Sequence, residues 1–514
     1  MRRCFRLGPS ALAVLLVVIA AAACGSDGTP SGAAGGGSGA ASGASSGASG
    51  TGAASGSNIG PGGSGTSAQS GSPGSAGGAG GSGAGGSGGS GGSGATSGTA
   101  GATGSASGAS GGSRDASTGS GDAAGAACLG SSVLAALGKS HLLVGGSMQD
   151  ATAKQAPFDL RYVYISGGLF DGTSPCTSCA SGCTTKGTTC ASSGPGCAWW
   201  GCWQYDQDPP GAYARTFEGT CAGASPPQLP MFTYYEILQA SGVTEGKPEV
   251  TQAATDPALM TRYFADWRFL LQQVGQKTAL LHIEPDFWGY AEQTGSDPHA
   301  LTAAVASANA TDCAGVENSI AGMGRCMVAM VRKYAPHALV GLHASAWGTN
   351  VDVAANTSPT FDVAGEAQKL AAFLTACGEA DADFVVVETS DRDAGYYQSQ
   401  GRNTWWDATN ATLPDFHQDF ARVKALTEAL GKPALYWQTP LGNMGLNDTT
   451  NHWKDNRVDY FFGHMGELAG AHAIGAAFGA GAGDQTSPES DNGNFVAKAK
   501  AYFGGTGGGQ ALCP

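Results

Sequence analysis

Two stretches of the chain place carboxylates where an apolar run gives way to aromatic and polar residues. One reads Leu280-Leu281-His282-Ile283-Glu284-Pro285-Asp286-Phe287-Trp288-Gly289-Tyr290. The other reads Phe384-Val385-Val386-Val387-Glu388-Thr389-Ser390-Asp391-Arg392-Asp393. Extended alternation puts His282 and Glu284 on one face of the first run, with Leu281 and Ile283 on the other. A carboxylate at the end of a core strand is costly to bury without a partner or a purpose. Two such groups facing one space can divide acid work from nucleophilic or base work, the division that cleavage of a glycosidic bond requires. Glu284 is the expected general acid and Glu388 the nucleophile or base. Asp286 and Asp391 are expected to tune their pKa values or to substitute for them. A structural reading stands beside this one: Glu388 could pair with Arg392, and His282 and His343 could be hydrogen-bonded core residues.

Other apolar runs end in groups suited to holding a sugar. The third supplies Tyr234 and Glu236, the fifth His343, Ser345 and Trp347, and the seventh Tyr436, Trp437 and Gln438. Aromatic faces stack on the C–H faces of sugar rings, while amide side chains bond their hydroxyls. Trp288 is expected in such a site. Trp199, Trp200 and Trp203 either join it or form a small core of their own. No metal or cofactor is expected. Cys176 and Cys179 followed by Cys183 have a spacing zinc could use, but disulfides suit an exported chain better. The oxygen-rich segment from Gly479 to Gly493 reads as a flexible loop near the site. No Gly-x-Ser-x-Gly elbow occurs in residues 128–514, which lowers the case for an esterase.

These residues need a frame, and the apolar runs supply one. Eight β-rich segments recur: His141–Gln149, Leu160–Gly167, Pro230–Ile237, Thr278–Asp286, Ala338–Trp347, Asp383–Ser390, Pro433–Leu441 and His472–Gly479. Helical patterns fall between the later ones, at Asp256–Val274, Val316–Tyr334, Asp362–Cys377, Pro414–Leu430 and Asn456–Leu468. Pro414-Asp415 sets a helix start, and Gly431 before Lys432-Pro433 ends that helix. Eight strands with crossover helices predict a (β/α)8 TIM barrel, with an open doubly wound sheet as the alternative. No Gly-x-Gly-x-x-Gly turn follows the first strand, which favours the barrel. Residues 170–229 show little helical pattern and read as a disulfide-rich insertion.

The chain also carries an address. Arg2, Arg3 and Arg6 precede an apolar run from Ala11 to Ala23, so residues 1–23 read as a signal peptide. Ala21-Ala22-Ala23-Cys24 resembles the bacterial lipoprotein cleavage box, which implies lipid on Cys24 and an outer-membrane or cell-surface location. Residues 24–127 are almost wholly Gly, Ser, Ala and Thr. They lack the apolar surface to offset ordering entropy and read as a disordered linker. Residues 128–514, the expected barrel domain, hold 22 Lys and Arg against 37 Asp and Glu, so nucleic-acid backbones would be repelled. The membrane is expected as a partner through the lipid anchor only. Of 14 cysteines, seven crowd between Cys176 and Cys221, an odd number that sends at least one partner elsewhere. Cys313 with Cys326 would close a short loop, and Cys128 with Cys513 would tie the domain ends.

Across Leu142–Phe503 the chain resembles TIM-barrel glycoside hydrolases in architecture and in its strand-end pattern. The resemblance implies a polysaccharide or oligosaccharide substrate; a noncatalytic carbohydrate-binding protein on the same scaffold is the alternative. Many retaining members place an acid/base Glu after the fourth strand, where Glu284 stands, and a nucleophile Glu after the seventh, where this chain has Gln438. Other members use carboxylates after strands four and six, which Glu284 or Asp286 with Glu388 or Asp391 would match. Glu284-Pro285-Asp286 also resembles the cellulases of family 6, although Asp391-Arg392-Asp393 stands later in this chain than their Asp-Arg-Asp motif does.

Overall fold

The structure, a computed structural model, describes residues 128–167, 169, 200, 210–505 and 508–512. The signal peptide, Cys24, the linker, Trp199, Trp203, Cys513 and all the clustered cysteines except Cys221 lie outside the described residues.

Eight parallel strands pair in sequence order and close into a barrel, with β8 returning to β1. They are β1 (Leu143–Gly146), β2 (Leu160–Ile165), β3 (Leu229–Tyr234), β4 (Leu280–Ile283), β5 (Leu339–Ala344), β6 (Val385–Val387), β7 (Ala434–Thr439) and β8 (Ala473–Phe478). Each falls within a run read from the sequence or overlaps it to within one residue. Every residue of β1, β4, β6, β7 and β8 is buried. Burial on both faces is what a parallel sheet covered by helices requires, and it explains the nearly continuous apolar runs.

The helices that matter here are α1 (Ala212–Ala222), α2 (Pro257–Val274), α3 (Phe287–Thr294), α4 (Ile320–Tyr334), α5 (Val363–Ala376), α6 (Phe416–Leu430) and, after β8, α7 (Asn494–Gly504). Side-chain caps start four of them. Asp256, Ser319, Asp362 and Asp415 accept from backbone N–H groups in the first turns of α2, α4, α5 and α6. Each such cap is worth about 1 kcal/mol. Gly431, at φ 65°, ends α6 in the left-handed conformation that favours glycine.

One expectation needs correcting. The segment 170–229 is not all irregular, because α1 occupies Ala212–Ala222 within it and β3 begins at its end. Helix α1 is the ordinary crossover between β2 and β3. Its apolar stripe is short: Ala212, Tyr213, Ala214, Phe217 and Cys221 are buried while the rest is polar or small. That weak contrast hid it in the sequence.

The cysteines divide by burial and reach. Cys313 and Cys326 form the short-loop disulfide, their Cα atoms 5.4 Å apart. Cys128 is also disulfide-bonded, to a partner outside the described residues. Cys221 does not join the cluster. It is a free, buried thiol on α1, and burial pushes its pKa up to about 12. With Cys221 free, the odd count that sent a clustered cysteine elsewhere falls away.

The Cys313–Cys326 bridge spans 13 residues, and closing a loop of that size stabilises a fold by about 3 kcal/mol. Replacing both cysteines by Ser should lower the unfolding free energy in urea by about 2–4 kcal/mol. An unchanged midpoint would remove the bridge from the stabilising interactions.

Candidate active site

A cavity of about 80 Å3 opens at the C-terminal ends of β4, β5 and β6. This is the face on which barrel loops build sites. Asp286, Glu388 and Asp391 line it with Tyr290, Trp347 and Trp406. One oxygen of Asp286, one of Glu388 and one ring nitrogen of His343 all lie within 4.8 Å of one another. Glu388 continues β6 directly and is 9% exposed. Asp286 arrives differently. It stands just before α3 with φ 66°, in the left-handed region.

Burial and mutual repulsion set the protonation of this pair. Asp286 is pushed up to about 8, first by burial, then by the charges of Glu245 and Asp391. Glu388 is raised well above the usual carboxylate range by burial, Asp286 and Asp391. Like charges this close cannot both be carried without a counterion, so the pair holds a proton at neutral pH. The two members are not equivalent. Arg422 partly opposes the rise at Glu388, to which Asp352 adds, while every cause acting on Asp286 favours its neutral form. Arg422 is buried on α6, pairs with Asp419 at 2.6 Å and donates to the Glu388 carbonyl at 3.3 Å.

Around the pair stand aromatic faces and committed polar groups. Tyr290 packs on Trp347 with ring centroids 4.7 Å apart, and its hydroxyl donates to Glu245 at 2.9 Å. Asp391 accepts from Arg392 at 2.5 Å and from the Tyr397 hydroxyl. The ion pair of Arg392 is therefore with Asp391 and not with Glu388. Arg402 lies 4.2 Å over the Tyr397 ring, and Arg457 4.5 Å over Trp406. Glycine makes one approach possible: a Cβ at Gly289 would lie 2.8 Å from both Ser345 and Trp347, so only glycine lets α3 lie this close to the end of β5.

No family model matches the chain, and no curated protein matches it. Glycoside hydrolases are among the solved structures it resembles. The endoglucanase Cel6 of Mycobacterium tuberculosis shares 14% identity over 44% of this chain and 55% of its own, with a TM-score of 0.23. A family 5 mannosidase of Rhizomucor miehei, solved with mannosyl-fructose, shares 10% over 70% of this chain and 92% of its own, at 0.38. A family 5 xyloglucanase of Bacteroides ovatus, solved with a heptasaccharide, shares 10% over 68% and 66%, at 0.34. The chain thus spans about half of the first and nearly all of the second. Scores this low carry no argument about activity, which must come from the site itself.

The remaining expected residues divide between the cavity and the core. Glu284 is not in the cavity. Its φ of 47° breaks the extended run after Ile283, so alternation fails one residue past the strand. The carboxylate instead accepts from the N–H groups of Glu236 and Ile237, at 3.1 and 3.2 Å. Glu236 is fully buried beside it, and neither of its carboxylate oxygens has a hydrogen bond among the described residues. Burial raises both, Glu284 to about 8. Tyr234 faces α2, its hydroxyl donating to Asp266 at 2.9 Å. Trp200 also donates to Asp266, at 2.9 Å, and is fully buried, so it packs in the core instead of lining the cavity. Trp288 is likewise fully buried; it follows the strand by enough residues to enter α3, and its Nε1 donates to Ile283 at 2.9 Å. His282, His343 and Trp437 point into the barrel, the histidine rings 4.7 and 5.7 Å from Trp437. Gln438, at φ 53°, sits where the β7–β8 register slips, and accepts from the Tyr164 hydroxyl. The loop after β8, expected to be flexible, is tied down through Asp393 and Asp491.

Sequence reasoning missed Glu245, Asp352 and Arg402. They come from loops without a strand-end signature, and only closure of the barrel brings them to the Asp286–Glu388 pair. A divalent cation would have to use Asp286, His343 and Glu388, the one group of that spacing among the described residues. It would need an unprotonated Nε2 on His343 and both carboxylates ionised.

Glu284 gives a test of this division. Its folded pKa lies above the unfolded value, so its contribution to stability is fully present below about 4.5 and is lost as pH rises to about 8. Once ionised, its charge is buried and is favoured only by hydrogen bonds from Glu236, Ile237 and the Tyr263 side chain. Glu284→Gln keeps the acceptor for the two N–H groups and cannot ionise. Thermal unfolding should show the variant overtaking the parent as pH rises from 5 to 9, with the cavity chemistry unchanged. A steeper loss in the variant would contradict this placement.

Proposed function

We propose that this protein hydrolyses glycosidic bonds, with Asp286 as acid/base and Glu388 as nucleophile. The observation that carries the reading is the pair itself. Two carboxylates from the ends of β4 and β6 share one aromatic-lined cavity, with oxygens within 4.8 Å. Carboxylates this close suit the short separation of retaining enzymes, roughly 5 Å between the groups, better than the wider spacing of inverting ones. Glu388, with Arg422 behind it, attacks the anomeric carbon as the ionised member of the pair. Asp286 then gives its proton to the departing oxygen. Water, deprotonated by the now ionised Asp286, releases the sugar from Glu388. Trp347 and Tyr290 offer one aromatic wall for a sugar ring and Trp406 another.

The substrate is an extracellular polysaccharide or glycan, met at the cell surface by a lipid anchor on Cys24. The signal-peptide pattern, the cleavage box and the disulfide bonds of Cys128 and of Cys313 with Cys326 support export, because such bonds persist in oxidising compartments. Radiolabelled palmitate in the full chain, absent from Cys24→Ala, would establish the anchor; label in neither would remove it.

Reducing-sugar release from a polysaccharide panel tests the chemistry. Asp286→Asn and Glu388→Gln should each lose 10²–10⁴-fold or more in kcat, with folding intact. Azide should rescue the acid/base variant as a glycosyl azide of retained configuration. The parent rate should fall above about pH 8, as Asp286 loses the proton it must donate, and Asp286→Asn should lack that limb. Full activity in either variant would sink the assignment. Binding of a polysaccharide without release from any would replace hydrolysis by carbohydrate binding.

A further inference from the structure

One side of the cavity carries a charge that the proposed cleavage does not use. Beyond β6 the chain passes back along the space lined by Asp286 and Glu388, where Tyr397, Arg402, Trp406 and Arg457 line it too. The two arginines differ. Arg457 is buried, and its N–H groups go to Asp455 at 2.7 Å and to the Thr404 carbonyl at 2.8 Å. Arg402 is exposed, and its guanidinium lies 4.2 Å from the centroid of the Tyr397 ring. It has no ion pair and no side-chain hydrogen bond among the described residues. The backbone sets it there: Gly401 turns at φ 75°, and the Arg402 N–H donates to the Tyr397 carbonyl at 2.9 Å.

The acids of the cavity do not need this cation. Asp391 has Arg392 at 2.5 Å, and Asp286 and Glu388 hold a proton between them. The charges acting on Asp286 are those of Glu245 and Asp391. The main ones acting on Glu388 are those of Asp286, Asp391, Arg422 and Asp352. Arg402 is in neither set, so it does not govern the protonation of the pair. Residues 128–514 hold 37 acids against 22 bases, so the chain has no shortage of carboxylates to set beside it. A guanidinium lying over a ring turns its face to the ring and keeps its N–H edge for a ligand. That edge matches the paired oxygens of a carboxylate or a sulfate. A sugar hydroxyl could take one of these hydrogens, but only an anion answers the charge as well.

We propose that Arg402 selects the substrate by receiving an anionic group of the glycan, the carboxylate of a uronic acid or a sulfate ester, at the exposed side of the cavity. This names a substrate class for the cleavage proposed above and rests on that reading; the recognition itself needs only binding. The acidic chain repels a polyanion as it approaches, so selection is a contact effect at one guanidinium, felt within a screening length of about 8 Å. Its size falls between that of an exposed ion pair and that of a charge-assisted hydrogen bond, about 5–30-fold in affinity.

Paired polymers of several backbones test this on the full chain. Uronic-acid polysaccharides are set beside the same polymers with their carboxyl groups reduced to alcohols, and sulfated polysaccharides beside their desulfated forms. Affinity electrophoresis reads binding, and reducing-sugar release reads cleavage. The parent should favour the anionic member of a pair by about 5–30-fold, in Kd and in KM with little change in kcat. The kind of pair that responds, uronic or sulfated, identifies the anion. Arg402→Gln should bring that ratio to about one, and Arg402→Lys, which keeps the charge without the planar fork, should keep part of it. NaCl at about 1 M should narrow the parent's ratio by screening the exposed charge. Equal binding within every pair, no binding of any anionic polymer, or a preference that survives in Arg402→Gln would overturn the proposal. A preference lost in Arg402→Gln, with no polymer cleaved by the parent, would keep the anion site and remove hydrolysis.

Discussion

Asp286 and Glu388 occupy one buried space and cannot both carry charge there, and the electrostatics of the barrel mouth follow from that constraint. Proximity alone would leave the proton shared without preference. The asymmetry comes from behind the sheet. Arg422 reaches the Glu388 carbonyl from α6, and Asp419 holds it there while also accepting from Tyr436 of β7 at 2.9 Å. A cation placed by helix-to-strand packing thus favours charge on one carboxylate. On Asp286, burial and the charges of Glu245 and Asp391 all favour the neutral form. The structural ion pair of α6 and the division of labour in the cavity are the same interaction seen from two sides.

Backbone conformation decides which carboxylates join this pair. Glu284, Asp286 and Gln438 all adopt positive φ without being glycine. Each such residue costs about 1–3 kcal/mol and persists only where its surroundings hold it. Two N–H bonds from the chain after β3 hold Glu284. The turn they stabilise directs Asp286, two residues on, to the cavity. The strain at the end of β4 thereby exchanges one acid for another. It leaves Glu284 and Glu236 as buried groups near α2, where burial favours their neutral forms. The slip in β7–β8 register at Gln438 acts similarly, re-aiming one side chain at the barrel mouth.

The same details mark where sequence reasoning ends. The eight strands were legible because a sheet covered on both faces demands long apolar runs. Most helices were legible because Asp415, Gly431 and similar residues satisfy their orphan ends. The pairing of carboxylates after β4 and β6 was legible too, since Glu388 simply extends its strand. The choice between Glu284 and Asp286 was not, because alternation presumes an extended backbone and φ turns positive at Glu284. Trp288 misled for a related reason: a residue counted as strand mouth belongs to a helix whose inner side is core. Trp200 was drawn away by Asp266, a buried acceptor that no local pattern announces.

What keeps the mouth in register is a second buried acid that never meets the cavity. Asp393 accepts from Gly442 after β7 at 2.9 Å and from Thr486 after β8 at 2.8 Å, while its own N–H donates to Gln485 at 3.0 Å. The loops after β7 and β8 therefore converge on one acid of the β6 loop, two residues from Asp391. The loop after β8 must pass directly against Asp391, and Gly481 permits it: a Cβ there would lie 1.7 Å from the Asp391 carbonyl. Burial and the neighbouring Asp455 push Asp393 up to about 7, yet three backbone or side-chain hydrogen bonds favour its charged form. A loop rich in glycine and oxygen, which composition alone would call mobile, is thus fixed by the hydrogen-bonding capacity of one acid. Because that acid adjoins Asp391, the rigidity of the loop and the position of the charge that helps to keep Asp286 protonated cannot be varied independently.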